Sequence, residues 1–296
     1  MKLWLKVIIG VVVLVIVIII GISAYLGGIA TRVDRESITI DPADLGLEYE
    51  NITFPSREDH LTLHGWFLPS PNSEEIIIIL HGAESNRCDI NVNVMGIAAE
   101  LISLGYNVLM FDFRGHGESE GERISAGFHE RKDLWGAVDF ARERGFEKIG
   151  VLGFSMGAAT ALMGAAEEPD IDCVVADSSF ADMEGIMEGE FTERTKFPGF
   201  FITPVLYMVK IMYGVDFTAV KPVESVPEIA PRPIMFIHGE KDDFVPLDHA
   251  YRLYQASQNP DNILWIVPGA EHVKGYITSP AEYINRITAF FDKVLK

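Results

Sequence analysis

The sequence is poor in cysteine and in basic residues. Its 296 residues include only two cysteines, Cys88 and Cys173, which is too few for a disulfide framework and gives no metal-ligand spacing. The 24 Lys and Arg are outnumbered by 43 Asp and Glu, so the formal net charge is -19. Because binding to a phosphate backbone requires clustered positive charge, nucleic acid is a poor partner for this chain.

Repeats, low-complexity tracts and long linkers are also missing from Ser37 onward. With 48% hydrophobic and 23% charged residues, the chain has the composition of a folded protein rather than a disordered one. We therefore expect one α/β domain over residues 37–296. No metal and no cofactor is expected, and the sequence indicates no oligomeric state.

One long hydrophobic run stands at the N-terminus, after the short basic segment of residues 1–6. Residues 7–31, Val7 to Thr31, are 25 uncharged residues dominated by Val and Ile, which is long enough to span a bilayer core of about 30 Å as a helix. This run predicts a transmembrane anchor, with the lipid bilayer as a partner. The alternative is a cleaved signal peptide, since Gly28-Ile29-Ala30 resembles a cleavage site, but signal peptides have a shorter apolar region of about 7 to 15 residues.

The basic residues around this run give little information on its orientation. Lys2 and Lys6 precede the run and Arg32 and Arg35 follow it, so the count of positive charges is nearly balanced. The terminal amine adds one charge to the first side. We therefore expect the N-terminus inside and the main domain on the extracytoplasmic side.

Apolar patterning after the anchor predicts an α/β fold. Alternating residues at 47–54 and 60–68 predict an antiparallel hairpin. Short apolar runs then predict buried strands at 76–80, 108–111, 149–152, 173–176, 234–237 and 263–267. Helical spacing is found at 92–104, 126–144, 156–166, 248–257 and 280–295. This alternation predicts a mostly parallel sheet with helices on both faces.

Residues 182–226 interrupt that alternation and are unusually apolar for an insertion, with a nearly continuous hydrophobic stretch from Phe197 to Met212. We interpret the segment as a helical lid that could meet acyl substrates at the bilayer surface. The alternative is ordinary packing of the segment onto the core.

A Gly-x-Ser-x-Gly motif, Gly153 to Gly157, follows one predicted strand and opens a helix of small residues. In a strand-to-helix elbow the glycines allow close packing while the serine hydroxyl is exposed above the sheet edge. Ser155 is therefore the candidate nucleophile. The helix N-terminus after it supplies amide donors for an anion.

A serine nucleophile needs a base, and His272, after the last predicted strand, is the candidate. The stretch after the strand at 234–237 offers Asp242 or Asp243 to orient the imidazole. Asp177, after the strand at 173–176, is a weaker alternative.

The sequence resembles the α/β-hydrolase superfamily in two features. The candidate residues occur in the order Ser, Asp, His, and the stretch Gly239 to Pro246 has the form Gly-x-x-Asp-x-x-Val-Pro. His81-Gly82-Ala83 and Asp112 to Ser119 add to the resemblance, which covers roughly residues 47–296 and extends to membrane-anchored bacterial α/β-hydrolases and serine aminopeptidase-like proteins. It implies an α/β-hydrolase fold with a lid.

The resemblance also implies roles for individual residues. Ser155 would be the nucleophile, His272 the base and Asp242 the acid, and the backbone N–H groups of Ala83 and Met156 would form the oxyanion hole. The implied activity is that of a serine hydrolase that cleaves a small-molecule substrate, an acyl ester, as a carboxylesterase or lipase does. Amide or peptide hydrolysis and acyl transfer use the same triad, and a non-catalytic binding module is the remaining alternative.

Overall fold

The computed structural model describes residues 2–71 and 73–296. The described residues contain eight strands and ten α-helices. The strands are β1 (Glu50–Pro55), β2 (Thr62–Leu68), β3 (Glu75–Leu80), β4 (Asn107–Phe111), β5 (Lys148–Phe154), β6 (Cys173–Asp177), β7 (Ile234–Gly239) and β8 (Ile263–Val267). The helices are α1 (Leu3–Ala30), α2 (Val94–Ser103), α3 (Glu130–Glu143), α4 (Met156–Glu167), α5 (Met183–Thr195), α6 (Ile202–Tyr213), α7 (Pro222–Ile229), α8 (Asp248–Ala256), α9 (Gly275–Thr278) and α10 (Pro280–Leu295).

All eight strands form one sheet in the order β1-β2-β4-β3-β5-β6-β7-β8. The hairpin of β1 and β2 is antiparallel and joins β4 in antiparallel register, while every later pairing is parallel. Because parallel neighbours need crossover connections, helices lie between the later strands. The predicted α/β-hydrolase fold, with its antiparallel start, is confirmed.

Alternate side chains of each central strand enter two separate cores, one on each face of the sheet. On β3, Ile76 and Ile78 join the cluster that includes α3 and α4, whereas Ile77 and Ile79 join the cluster that includes α2 and α10. Successive side chains of a strand point to opposite faces, so a strand covered on both sides is apolar throughout. This double burial explains the continuous apolar runs in the sequence.

Helix α3 begins four residues later than the predicted start at residue 126. Ala126 and Gly127 have φ values of 53° and 101°, which lie outside the helical region. The side chain of Glu130 accepts hydrogen bonds from the amides of Ser125 and Gly127. These bonds hold a turn before the helix, which hydrophobic spacing alone did not predict.

The inserted segment, residues 182–226, is helical and forms a third apolar cluster above the sheet. Phe201, Val205 and Val209 of this segment pack with Ala159 of α4 and with Leu26 of α1. Helix α1 is long and apolar enough to cross a membrane. Because Leu26 belongs to this cluster, the last turns of α1 contact the inserted segment.

We predict a difference in stability between two helical glycines. A Cβ atom at Gly136 of α3 would overlap the carbonyl oxygen of Pro55, whereas one at Gly189 of α5 would meet no atom within 4 Å. Gly136→Ala should therefore lower the free energy of unfolding by about 1–3 kcal/mol. Gly189→Ala should leave it unchanged or raise it by up to about 1 kcal/mol. Thermal unfolding in detergent measures both, and equal melting temperatures would contradict the proposed contact.

Candidate active site

Ser155 lies at the junction of β5 and α4 with a strained backbone. Its φ of 52° and ψ of -115° belong to a region that costs about 1–3 kcal/mol for a residue with a side chain. Its amide donates to the carbonyl oxygen of Asp177 at 2.8 Å, which ties the turn to β6. The serine is therefore held in a sharp elbow by the neighbouring strand.

Both flanking glycines are required by close backbone contacts. A Cβ atom at Gly153 would overlap the carbonyl of Gly157 and lie 2.7 Å from the amide nitrogen of Ala158. One at Gly157 would lie 2.5 Å from the carbonyl oxygen of His81, just after β3. The Gly-x-Ser-x-Gly spacing thus allows the first turn of α4 to pack directly on its own strand and on β3.

His272 joins Ser155 to Asp242. Its Nε2 lies 2.9 Å from the Ser155 Oγ, and its Nδ1 lies 2.7 Å from an Asp242 carboxylate oxygen. The loops that carry His272 and Asp242 touch at Gly239, where a Cβ atom would lie 2.5 Å from the Ala270 carbonyl oxygen. The three side chains form one continuous hydrogen-bonded chain.

Asp242 is buried and well supplied with donors. Its Oδ1 accepts the backbone N–H groups of Phe244 at 3.1 Å and Val245 at 2.8 Å, while its Oδ2 faces His272. Burial lowers the pKa of the neighbouring His238, which is neutral and donates from Nε2 to the Val245 carbonyl at 2.8 Å. An ionised Asp242 accepts the Nδ1 proton of His272, so the Nε2 lone pair faces the serine.

The other two carboxylates considered from the sequence lie elsewhere. Asp243 is exposed, and among the described residues no hydrogen bond joins it to His272. Asp177 is buried and accepts hydrogen bonds from the Tyr283 hydroxyl at 2.8 Å and the Ser178 hydroxyl at 3.0 Å. Burial raises the pKa of Asp177 to about 6.

Ser178 connects Asp177 to the histidine loop. Its hydroxyl oxygen accepts the backbone N–H of Val273, the residue after His272, at 3.1 Å. Val273 has a φ of 51°, an unusual conformation for a β-branched residue. The loop that carries His272 is therefore held by a chain of hydrogen bonds through Ser178, Asp177 and Tyr283. Asp177 makes no hydrogen bond with the imidazole in the described structure.

The loop after β3 lies directly beside the nucleophile. A Cβ atom at Gly82 would be 3.6 Å from the Ser155 Cβ, and the next residue, Ala83, is exposed. Met156 is the first residue of α4, so its N–H has no partner within the helix. The loop that carries Ala83 thus lies beside Ser155, and Met156 directly follows Ser155 in the chain.

His81 orients this loop. Its Nε2 accepts the backbone N–H of Phe113 at 3.0 Å, and its Nδ1 donates to the Gly82 carbonyl at 2.6 Å. Burial holds the pKa of His81 well below its ordinary value, so the ring is neutral. In a planar trans peptide the C=O and N–H point in opposite directions, so fixing the Gly82 oxygen directs the Ala83 N–H away from His81.

The motif from Asp112 to Ser119 supports the same region without facing the serine. The buried Asp112 carboxylate accepts the Arg87 backbone amide at 2.7 Å and its guanidinium at 2.6 Å. The Ser119 hydroxyl donates to the Asp112 carbonyl and accepts the His64 amide. The motif therefore ties the loop after β4 to the loop after β3, through Arg87, and to the hairpin, through His64.

The lid reaches the histidine through one aromatic side chain. The guanidinium of Arg194 in α5 lies 5.0 Å from the ring centroid of Phe244, and the Phe244 ring meets the His272 ring edge-on at 4.9 Å. Sequence reasoning did not single out Phe244, although it lies two residues after Asp242, or Tyr283, which meets Asp177 across 106 residues. Among the described residues, no group of three or more His, Cys, Asp or Glu is arranged to hold a metal ion.

The chain is similar to known proteins in sequence and in fold. Residues 92–296 match the model of the prolyl oligopeptidase family. Protein YqkD of Bacillus subtilis is 29% identical over 237 residues, covering 78% of this chain and 76% of YqkD. The α/β hydrolase domain-containing protein WAV2 of Arabidopsis thaliana is 27% identical over 271 residues, covering 87% and 83%. The esterase Pf2001 of Pyrococcus furiosus superposes with a TM-score of 0.75 at 28% identity, covering 90% of this chain and 99% of the esterase.

We predict that the three carboxylates respond differently to replacement by Asn. Asp242→Asn should lower kcat about 10³- to 10⁴-fold, because the amide favours the wrong imidazole tautomer. Asp243→Asn and Asp177→Asn should each retain activity within about tenfold. Steady-state kinetics on one ester distinguishes them, and equal effects at Asp242 and Asp243 would contradict the assignment.

Asp177→Asn should also change the pH dependence of stability. The folded pKa of about 6 lies above the ordinary value of 3.8, so the stability linked to Asp177 is complete below pH 3.8 and is lost as the pH rises through 6. The variant should therefore melt at a higher temperature than the parent above pH 6, and this advantage should vanish at pH 4. An identical difference at both pH values would contradict the raised pKa.

Proposed function

This chain belongs to the prolyl oligopeptidase family, and we propose that it is a membrane-anchored serine hydrolase that cleaves carboxylic esters. The observation that carries the proposal is the chain of hydrogen bonds from Ser155 through His272 to Asp242. Nucleophile, base and orienting acid occur together in the geometry that acyl transfer to serine requires.

The proposed reaction proceeds through an acyl-enzyme. The Ser155 oxygen attacks the ester carbonyl while His272 takes its proton, and the Ala83 and Met156 amides stabilise the resulting oxyanion. His272 then gives this proton to the leaving alcohol, and the ester bond breaks. Water attacks the acyl-enzyme with His272 again as base, which releases the acid and restores Ser155.

Two features favour an ester over an amide as the substrate. The similar esterase Pf2001 covers 90% of this chain. Helix α6 of the lid is largely apolar and offers few charged groups to a peptide: its 12 residues contain a single charged side chain, Lys210.

Peptide hydrolysis is the second candidate, since the matched family is named for an oligopeptidase. Acyl transfer to another alcohol would use the same three residues, and product analysis with a labelled acyl donor separates it from hydrolysis.

We also propose that α1 is an uncleaved anchor rather than a signal peptide. Cleavage after Ala30 would remove Leu26 and Gly27, which are buried against the lid. The catalytic domain would then stand on the extracytoplasmic side, in keeping with the terminal amine and Lys2 and Lys6 on the other.

Covalent labelling tests the nucleophile. A fluorophosphonate probe should label the parent at Ser155, with loss of fluoride, because the His272 base activates that hydroxyl alone. Ser155→Ala should give no labelling and background activity, and heat-denatured parent serves as the control for non-specific reaction. Equal labelling of Ser155→Ala would reject the assignment.

A series of p-nitrophenyl esters tests the substrate class. We expect kcat/KM to rise from acetate to medium or long acyl chains, because the lid presents apolar side chains near the site. The full chain in nanodiscs should be used, below micelle-forming ester concentrations, since removing α1 would uncover Val205 and Val209. A steady decline from acetate onward would show a short-chain esterase instead.

A further inference from the structure

Helix α1 has two parts with different surroundings. From Leu3 to Ile20 its large apolar side chains are mostly exposed, as with Val11 at 55% and Ile20 at 48%. These 18 residues span about 27 Å, close to the thickness of a bilayer core. Ser23, Leu26 and Gly27 are instead buried. The exposed part of α1 therefore ends where the helix begins to pack on the rest of the domain.

The buried end of α1 packs directly on the lid helix α6. A Cβ atom at Gly27 would lie 2.8 Å from the Val209 side chain and 3.7 Å from the Val205 carbonyl. The guanidinium of Arg123 stacks on the Tyr213 ring at 3.7 Å and donates to the Thr31 hydroxyl at 2.8 Å. These contacts fix α6 at one depth along the anchor.

An anchored α1 would bring this contact to the interface between lipid and water. Trp4 and Tyr25 are exposed near the two ends of α1, about 32 Å apart along the helix, and such aromatic residues mark the two interfaces of a bilayer. The contact with α6 at Gly27 comes less than one turn after Tyr25. In a membrane-spanning α1, this contact would therefore lie at the level of the lipid headgroups.

Helix α6 and the turn before it expose several large apolar side chains. Tyr207 and Ile211 of α6 are 66% and 62% exposed, and Met212 is exposed beside them. The spacing of four residues places Tyr207 and Ile211 on one side of α6. Phe200, in the short 3₁₀ turn that precedes α6, is 63% exposed. We call these four side chains the lid stripe. An exposed stripe of this kind marks an interaction surface.

Three exposed basic residues lie near the lid stripe, since residues 194–215 contain Arg194, Lys196 and Lys210 but no acidic residue. Arg194 is paired with Glu190 and Lys210 with Asp216, whereas Lys196 forms no ion pair within the part of the chain that the structure describes. Lys196 is therefore the basic residue best placed to contact an anionic headgroup, a contact worth about 1 kcal/mol.

We propose that the lid stripe is a second membrane contact, which lies in the headgroup region of the bilayer beside the anchor. The inference rests on the proposed role of α1 as an anchor, because α1 sets the depth of α6. The lid is then held against the bilayer, and the site beneath it receives an acyl ester from the lipid. Substrates of this site would be membrane-dissolved esters.

Spin labels at single introduced cysteines test this arrangement in the full chain, since Cys88 and Cys173 are both buried. Tyr207→Cys and Ile211→Cys report on the lid stripe, and Leu14→Cys reports on the anchor. Tyr251→Cys, at a site 43% exposed on α8, is the matched control. The protein is placed in vesicles of phosphatidylcholine and phosphatidylglycerol, and accessibility to oxygen and to a soluble nickel complex is measured.

We expect labels at 207 and 211 to have an oxygen-to-nickel ratio several-fold above that of the label at 251. A ratio equal to the one at 251, with the label at 14 in lipid, would overturn the proposal while the anchor stands. A label at 14 exposed to nickel would instead reject the anchor. Shielding from both reagents with spin–spin broadening would show a second copy on the stripe, and would also overturn the proposal.

Activity supplies a second readout. Tyr207→Ser with Ile211→Ser should lower hydrolysis of a long-chain ester embedded in vesicles at least about fivefold, because less apolar surface holds the lid at the bilayer. Hydrolysis of soluble p-nitrophenyl acetate should remain unchanged. Equal loss on both substrates would contradict a membrane role, and inactivity on every ester would reject the esterase proposal independently of the labels.

Discussion

The contact between the elbow and the end of β3 is the constraint on which the site depends. Gly157 approaches the His81 carbonyl so closely that no side chain fits between them. This single approach joins β5, which carries Ser155, to the loop that carries Ala83. Parallel strands β3 and β5 are paired from Glu75 and Lys148 to Leu80 and Gly153. This register fixes the position of Ser155, after β5, relative to the loop after β3. A shift of one strand would separate the two.

Two buried carboxylates near His272 have different surroundings. Asp242 accepts two backbone amides and faces the imidazole. Asp177 has two hydroxyl donors, and its burial outweighs them, so its pKa is raised to about 6. Asp242 therefore contacts the imidazole directly, whereas Asp177 holds the loop after His272 through the Ser178 hydroxyl.

Local patterns predicted much of the fold and of the candidate site. Strands β3 to β8 were predicted within two residues at each end, because double burial requires apolar side chains at nearly every position, whereas β1 begins three residues later than predicted. The elbow was predicted because its glycines and serine are adjacent in the chain. Contacts between distant residues were not predictable in this way. Tyr283 meets Asp177 across 106 residues, and neither side chain carries a local signal for the other.

The docking of α1 on α6 is a further contact of this kind, and it joins the N-terminal helix to the inserted segment. In the sequence, Gly28-Ile29-Ala30 resembles a cleavage site, yet in the fold the neighbouring Gly27 packs so closely on α6 that a Cβ atom there would lie 2.8 Å from the Val209 side chain. Leu26, Val209 and Ala159 share one apolar cluster, and Ala159 lies on α4, one turn after Ser155. The cluster thus extends from α1 to the helix that follows Ser155. Any movement of α6 away from α4 would expose part of this cluster to water, so the free energy of that movement includes the loss of the contact with α1.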